Sequence, residues 1–160
     1  MKKNPGMKIR NCKKRGEWVE LVFMVRAVGQ RLRLSKPWGE SSGYDFAVEL
    51  ESGRMVRVQV KSTMFKDRGG YSCSVRGSKG PYKGNPFDFL AAYVIPEDVW
   101  YIIPAAKFKM QGSVALYPRL SGSKYDVYKE AWHLLGVEAP GVIDRIEACA
   151  EWAGEAVELG

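Results

Sequence analysis

Asp45, Gln59 and Lys61 lie in two runs of strict alternation. Tyr44, Phe46, Val48 and Leu50 share one face of the first run, and Asp45, Ala47 and Glu49 the other. In the second run Val56, Val58 and Val60 alternate with Met55, Arg57, Gln59 and Lys61. The short turn Glu51-Ser52-Gly53 between them predicts an antiparallel hairpin that packs its valines inward and presents Asp45, Gln59 and Lys61 together. A carboxylate and an amide oxygen can hold a hard divalent cation such as Mg²⁺, which takes oxygen ligands and keeps several waters. A neighbouring ammonium can orient or deprotonate one of those waters and offset charge on a phosphate under attack. The same residues equally suit the outward face of a half-exposed strand that meets nothing but solvent. On spacing alone both readings stay open.

Other elements must position this hairpin. Trp18, Leu21, Val22, Val25 and Val28 recur at helical spacing, which predicts a first amphipathic helix over Glu17–Arg31 with Glu17 and Glu20 beside the apolar stripe. Pro37-Trp38-Gly39 and Ser41-Ser42-Gly43 make a turn-rich link to the hairpin. Tyr71–Val75 reads as a third strand, residues 76–86 as a basic loop too rich in Gly and Pro for regular structure, and Phe87–Ile95 and Val99–Ile103 as a second strand pair that Pro104 stops. Tyr125, Tyr128, Trp132 and Leu135 predict a helix over Lys124–Leu135, and Val142–Val157 a last helix with Ile143, Ile146, Cys149 and Trp152 inward. The expected fold is α/β (α+β), a mixed central β-sheet flanked by helices.

At 160 residues and 46% hydrophobic content the chain suits one domain with a real core. Charge and patterning divide it into a basic arm over 1–15, a body over 16–136, and an acidic C-terminal helix over 137–160 packed on the same body. The longest apolar run, Phe89–Ile95, is far too short to span a membrane, and no apolar stretch follows the basic N-terminus as in a signal peptide, so a cytoplasmic protein is expected. Cys12, Cys73 and Cys149 form no CxxC pair, which argues against a disulfide framework or thiolate zinc site. The single histidine, His133, removes multi-histidine metal sites and HNH-type nucleases from consideration.

The net charge of +7 is unevenly spread. Lys2, Lys3, Lys8, Arg10, Lys13, Lys14 and Arg15 give the arm +7 with no acid, while Glu138, Asp144, Glu147, Glu151, Glu155 and Glu158 against Arg145 give residues 137–160 a charge of −5, leaving +5 on the middle. Such an excess supplies sequence-independent attraction to phosphate, or to an anionic membrane surface. The arm also reads as a solubilising terminus and the acidic segment as a solvated helix face.

Gly16-Glu17-Trp18-Val19-Glu20 on the first helix, Tyr44-Asp45 opening a strand and Val58-Gln59-Val60-Lys61-Ser62-Thr63 closing the next together resemble the PD-(D/E)XK nuclease superfamily. The likeness is greatest to its intron-encoded homing endonuclease branch, with Holliday-junction resolvases as relatives, and covers about residues 14–104. It implies a restriction-endonuclease-like core and a metal-dependent DNA endonuclease. Glu20 would be the helix carboxylate and Asp45 the main metal ligand. Gln59 would fill the usual acidic slot and Lys61 be the catalytic lysine, with Mg²⁺ as cofactor and Mn²⁺ as substitute. Glu17 is second choice for the helix position. Tyr44 stands where the family pattern has proline, Gln59 removes a negative charge from the metal site, and the usual crossover helix gives way to the 76–86 loop. Ser62, Lys66, Arg68, Arg76, Lys79 and Lys83 become candidate contacts to double-stranded DNA, with Tyr82 for stacking or packing; Thr63 could touch phosphate or form a turn.

Cutting both strands would take a homo-oligomer, a dimer or tetramer, with the Tyr125–Trp132 or Trp152 helix as contact surface. A structure-specific, resolvase-like nuclease, a non-catalytic DNA-binding protein on the same scaffold and a basic protein-interaction module are the alternatives.

If the arm and the 76–86 loop neutralise phosphates, affinity for duplex DNA falls with salt on a log–log slope of about −0.9 per phosphate contacted, and deleting residues 1–13 flattens that slope. A fluorescence-anisotropy salt titration reads it; salt-independent binding would favour the interaction module.

Overall fold

The computed structural model describes residues 8–39, 42–77, 84–108 and 111–136. One helix, α1 (Cys12–Gly29), lies on a five-stranded mixed sheet of β1 (Arg33–Ser35), β2 (Phe46–Glu49), β3 (Met55–Thr63), β6 (Phe89–Val94) and β7 (Val99–Pro104), in the order β1-β2-β3-β6-β7. A second sheet of β4 (Lys66–Asp67), β5 (Gly70–Ser74) and β8 (Ser113–Leu116), ordered β4-β5-β8, accompanies it. The fold is thus α+β, as expected. Among the described residues no helix is long and apolar enough to cross a membrane.

The predicted hairpin is present: Phe46 faces Val58 and Val48 faces Val56 across an antiparallel ladder, with Gly53 at φ 81° in the turn. β3 then pairs in parallel with β6, Val58 opposite Phe89 through Thr63 opposite Val94. A parallel pair needs a crossover, and its described residues hold β4 and β5. Asp88 ties its far end by accepting from the Arg57 backbone N–H at 2.8 Å and from its guanidinium at 2.9 and 3.2 Å.

Buried residues form two clusters. Phe46, Val48, Leu50, Val56, Val58 and Val60 join Val19, Phe23 and Ala27 of α1, together with Tyr93, Trp100 and Trp132, in the first. Leu90, Ala92, Val94, Tyr101 and Ile103 join Tyr71, Cys73, Val114, Leu116 and Tyr125 in the second. Strand β6 contributes to both, which explains its continuous apolar sequence.

Several expectations are corrected. α1 starts at Cys12, where the Asn11 side chain caps it by accepting from the Lys14 N–H at 3.1 Å. Its inward row is Val19, Phe23 and Ala27, with Trp18 and Val22 half-buried, whereas Leu21, Val25 and Val28 of the expected stripe are 61%, 73% and 60% exposed. The helix is apolar on adjoining faces, so periodicity fitted two stripes and packing chose the second. Lys124–Leu135 is not an α-helix but two 3-10 turns, Asp126–Tyr128 and Trp132–Leu135. Here Tyr125 enters one cluster while Trp132 and Leu135 enter the other, which one continuous helix face would not achieve.

Between the two turns Glu130, at φ 51°, accepts from the Trp100 backbone N–H at 2.8 Å and the Trp132 indole N–H at 2.7 Å. Tyr125 and Trp132 are therefore buried, and this segment does not offer them as an oligomer surface. Strands β1, β4 and β8 had no sequence expectation. The arm over 1–7, Lys79, Tyr82 and Lys83 of the basic loop, and the 142–157 helix with Cys149 and Trp152 lie outside the described residues.

Phe23 is fully buried and its ring lies 5.1 Å from Phe46, 5.6 Å from Trp100 and 5.6 Å from Trp132, centroid to centroid. Phe23→Ala is expected to cost about 3–5 kcal/mol, whereas Val25→Lys on the same helix should stay within about 0.5 kcal/mol of the parent. Urea denaturation of the two variants distinguishes this inward row from the one expected.

Candidate active site

At the start of β2 the main chain still follows the ladder, the Asp45 N–H donating to the Val58 carbonyl at 2.9 Å. Beyond the last paired residues, Phe46 and Val58, the Asp45 side chain takes over. Its Oδ2 accepts from the Val60 backbone N–H at 2.7 Å and from Gln59 Nε2 at 2.5 Å. Gln59 is buried, so the polar face of β3 is covered at this point. Lys61, two residues on, is half-buried, and its charge acts both on Asp45 and on the buried Cys73 thiol of β5.

Glu20 reaches the same region from α1. Its charge acts on Asp45, and its Oε2 forms an ion pair with Lys36 Nζ just after β1. The Lys36 ammonium also lies 5.2 Å from the centroid of the Phe46 ring. Arg26 helps set the pose of α1 by donating to both carboxylate oxygens of Asp98 at 2.9 and 2.8 Å, in the turn between β6 and β7. Lys36 had no role in the sequence reading. A lysine before Pro37 looks like a solvated loop residue, and no spacing signal links it to residue 20.

Burial is the main reason that the Asp45 carboxyl is pushed up from 3.8 to about 6. The Val60 N–H works against that rise, the Glu20 charge adds to it, and Lys61 and Lys36 pull the value back down.

The arrangement brings Glu20, Asp45, Gln59 and Lys61 to one locality, whereas Glu17 is exposed. Ser62 is half-buried next to them in β3. Thr63 acts as a turn former, donating to the Ser72 carbonyl at 2.6 Å and accepting from the Phe65 N–H at 3.1 Å. Lys66 and Arg68 are exposed on the β4–β5 hairpin and Arg76 is exposed after β5.

Two carboxylates and an amide make an oxygen donor set of the kind a hard divalent cation takes, once the Gln59 amide turns to present its oxygen. Among the described residues no three His, Cys, Asp or Glu side chains converge as a metal cluster, consistent with an amide at position 59.

The PD-(D/E)XK endonuclease family matches this chain over residues 10–135. Among solved structures, a bacterial homing endonuclease, I-Ssp6803I, is similar at 31% identity and a TM-score of 0.66, with 78% of this chain and 91% of that chain covered. No curated protein matches the sequence.

A carboxyl that binds its proton more tightly folded than unfolded contributes stability in full below pH 3.8 and loses it as pH rises through about 6. Asp45→Asn removes that loss. It is expected to stabilise the protein by roughly 2 kcal/mol at pH 7.5 and to have no such effect near pH 3.5. Thermal melts across that range read the crossover.

Proposed function

We propose a hydrolytic reaction on DNA for this chain, which belongs to the PD-(D/E)XK endonuclease family: metal-dependent cleavage of phosphodiester bonds, of the homing endonuclease kind. The observation that carries this reading is the meeting of Asp45, Gln59 and Lys61 at the β2–β3 junction, with Glu20 arriving from α1. Asp45, the Gln59 amide oxygen and Glu20 would hold the cation, Mg²⁺ with Mn²⁺ as substitute. When bound, that cation supplies Lewis-acid polarisation of the phosphate and a water acidic enough to attack at neutral pH. Asp45 is held for this task by the Val60 N–H. Lys61 orients the attacking water through its ammonium and offsets the charge that develops on the phosphate.

The exposed Lys66, Arg68 and Arg76, together with Lys79, Lys83 and Ser62, contact the duplex, mainly at phosphates. Residues 16–136 form the nuclease body. Residues 1–15 add a phosphate-neutralising arm, and residues 137–160 an acidic segment. The protein works in the cytoplasm as a dimer or tetramer, since one site cuts one strand and a duplex break needs two.

Cleavage of randomised duplex and branched DNA, measured with Mg²⁺, Mn²⁺ or EDTA, tests the reading. Asp45→Ala and Lys61→Ala are each expected to lower the cleavage rate by about 10²-fold or more while duplex binding persists. Gln59→Glu should tighten Mn²⁺ binding, whatever it does to rate. Cutting that survives both alanine variants, or continues in chelator, would move the active site elsewhere. Cutting confined to four-way junctions would favour a structure-specific nuclease.

A further inference from the structure

Lys36 pairs with Glu20 beside the candidate site, and the proposed mechanism gives it no role. Its side chain is 56% exposed, and it directly follows β1, the outermost strand on its side of the five-stranded sheet. Its ammonium nevertheless turns inward onto the Glu20 carboxylate and the ring of Phe46, the residue next to Asp45. Its charge is felt at Asp45 as well.

The charges then balance. Glu20 and Asp45 bring two carboxylates, Lys36 and Lys61 two ammonium groups, and Gln59 contributes none. A metal site of this donor type ordinarily attracts its cation by surplus negative charge. Here that surplus is already cancelled.

We propose that Lys36 acts as a resident cation that competes with the divalent metal for Glu20, so that loading the site requires its ammonium to swing out to solvent. This rests on the reading of Asp45, Gln59 and Glu20 as the metal-holding set. Lys36 is suited to the exchange. Its long, flexible stem carries a compact charge, and its exposed half gives water access to the ammonium once it leaves. Lys61 sits within β3 and pairs across to Ala92 of β6, so its backbone is held on the central ladder. The two lysines therefore divide the work: one stays with the reacting groups, the other yields its place.

The test is direct Mn²⁺ binding to the full-length protein at pH 7.5 and low salt, followed by the electron paramagnetic resonance signal of the remaining aquo ion. Wild type, Lys36→Gln, Lys36→Arg and Asp45→Asn are compared, each checked for an unchanged circular dichroism spectrum. Removing the like charge that pairs with the Glu20 carboxylate should make Lys36→Gln bind Mn²⁺ about tenfold more tightly, with Lys36→Arg close to wild type. Equal or weaker binding by Lys36→Gln would overturn the proposal and reduce Lys36 to a residue that merely positions Glu20. In that case loss of binding in Asp45→Asn leaves the metal-site reading standing. Binding absent from wild type and Lys36→Gln alike, or undiminished in Asp45→Asn, sinks the metal-site reading and this proposal with it.

Discussion

The Asp45 carboxylate accepts the backbone N–H of Val60 at 2.7 Å, and much of the candidate site's geometry hangs on that hydrogen bond. It stands where the β2–β3 ladder has run out of paired residues, so a side-chain oxygen takes over from the main chain. The carboxylate thereby gains a fixed position relative to β3, and Gln59 and Lys61 are placed by the same strand. Burial raises the proton affinity of this group, and the N–H opposes the rise.

The hairpin was legible because alternation has a two-residue period and valine occupies every inward position of β3 from Val56 to Val60. The β6–β7 pair was legible from its apolar run and the flanking Pro96 and Pro104. The helix was legible in existence but not in orientation. Leu21, Val25 and Val28 are as apolar as Val19, Phe23 and Ala27, and what separates them is contact with Phe46, Trp100 and Trp132, residues distant in the chain. Strand β1 has only three residues, Arg33–Ser35, too few for a period to register. The Lys36 pairing was illegible for the same reason, since it depends on β1 docking against β2.

Asp45, Gln59 and Lys61 could be gathered from strand periodicity alone, whereas Glu20 needed the family pattern. Spacing told that a carboxylate lies on α1, not that the helix crosses the sheet near residue 45. The Arg26–Asp98 pair bears on that crossing, and it joins residues 72 apart. Residues 124–135 failed for a different reason. Their aromatic spacing is helical, yet the segment passes the outer edge of β7, where Lys129 bridges Tyr101, and sends Tyr125 and Tyr128 to one buried cluster and Trp132 to the other.

That edge wrap has a consequence for the order in which the chain can mature during synthesis. Phe23, in α1, finds one of its ring partners in Trp132, more than a hundred residues later. Trp132 is itself held by Glu130, which also caps the Trp100 N–H. Until the ribosome has released Glu130 and Trp132, α1 can dock on the hairpin but its apolar row lacks a seal. Aromatic surface on α1 therefore stays uncovered while the residues between Phe23 and Trp132 are being made, and it is there that a chaperone has most to protect.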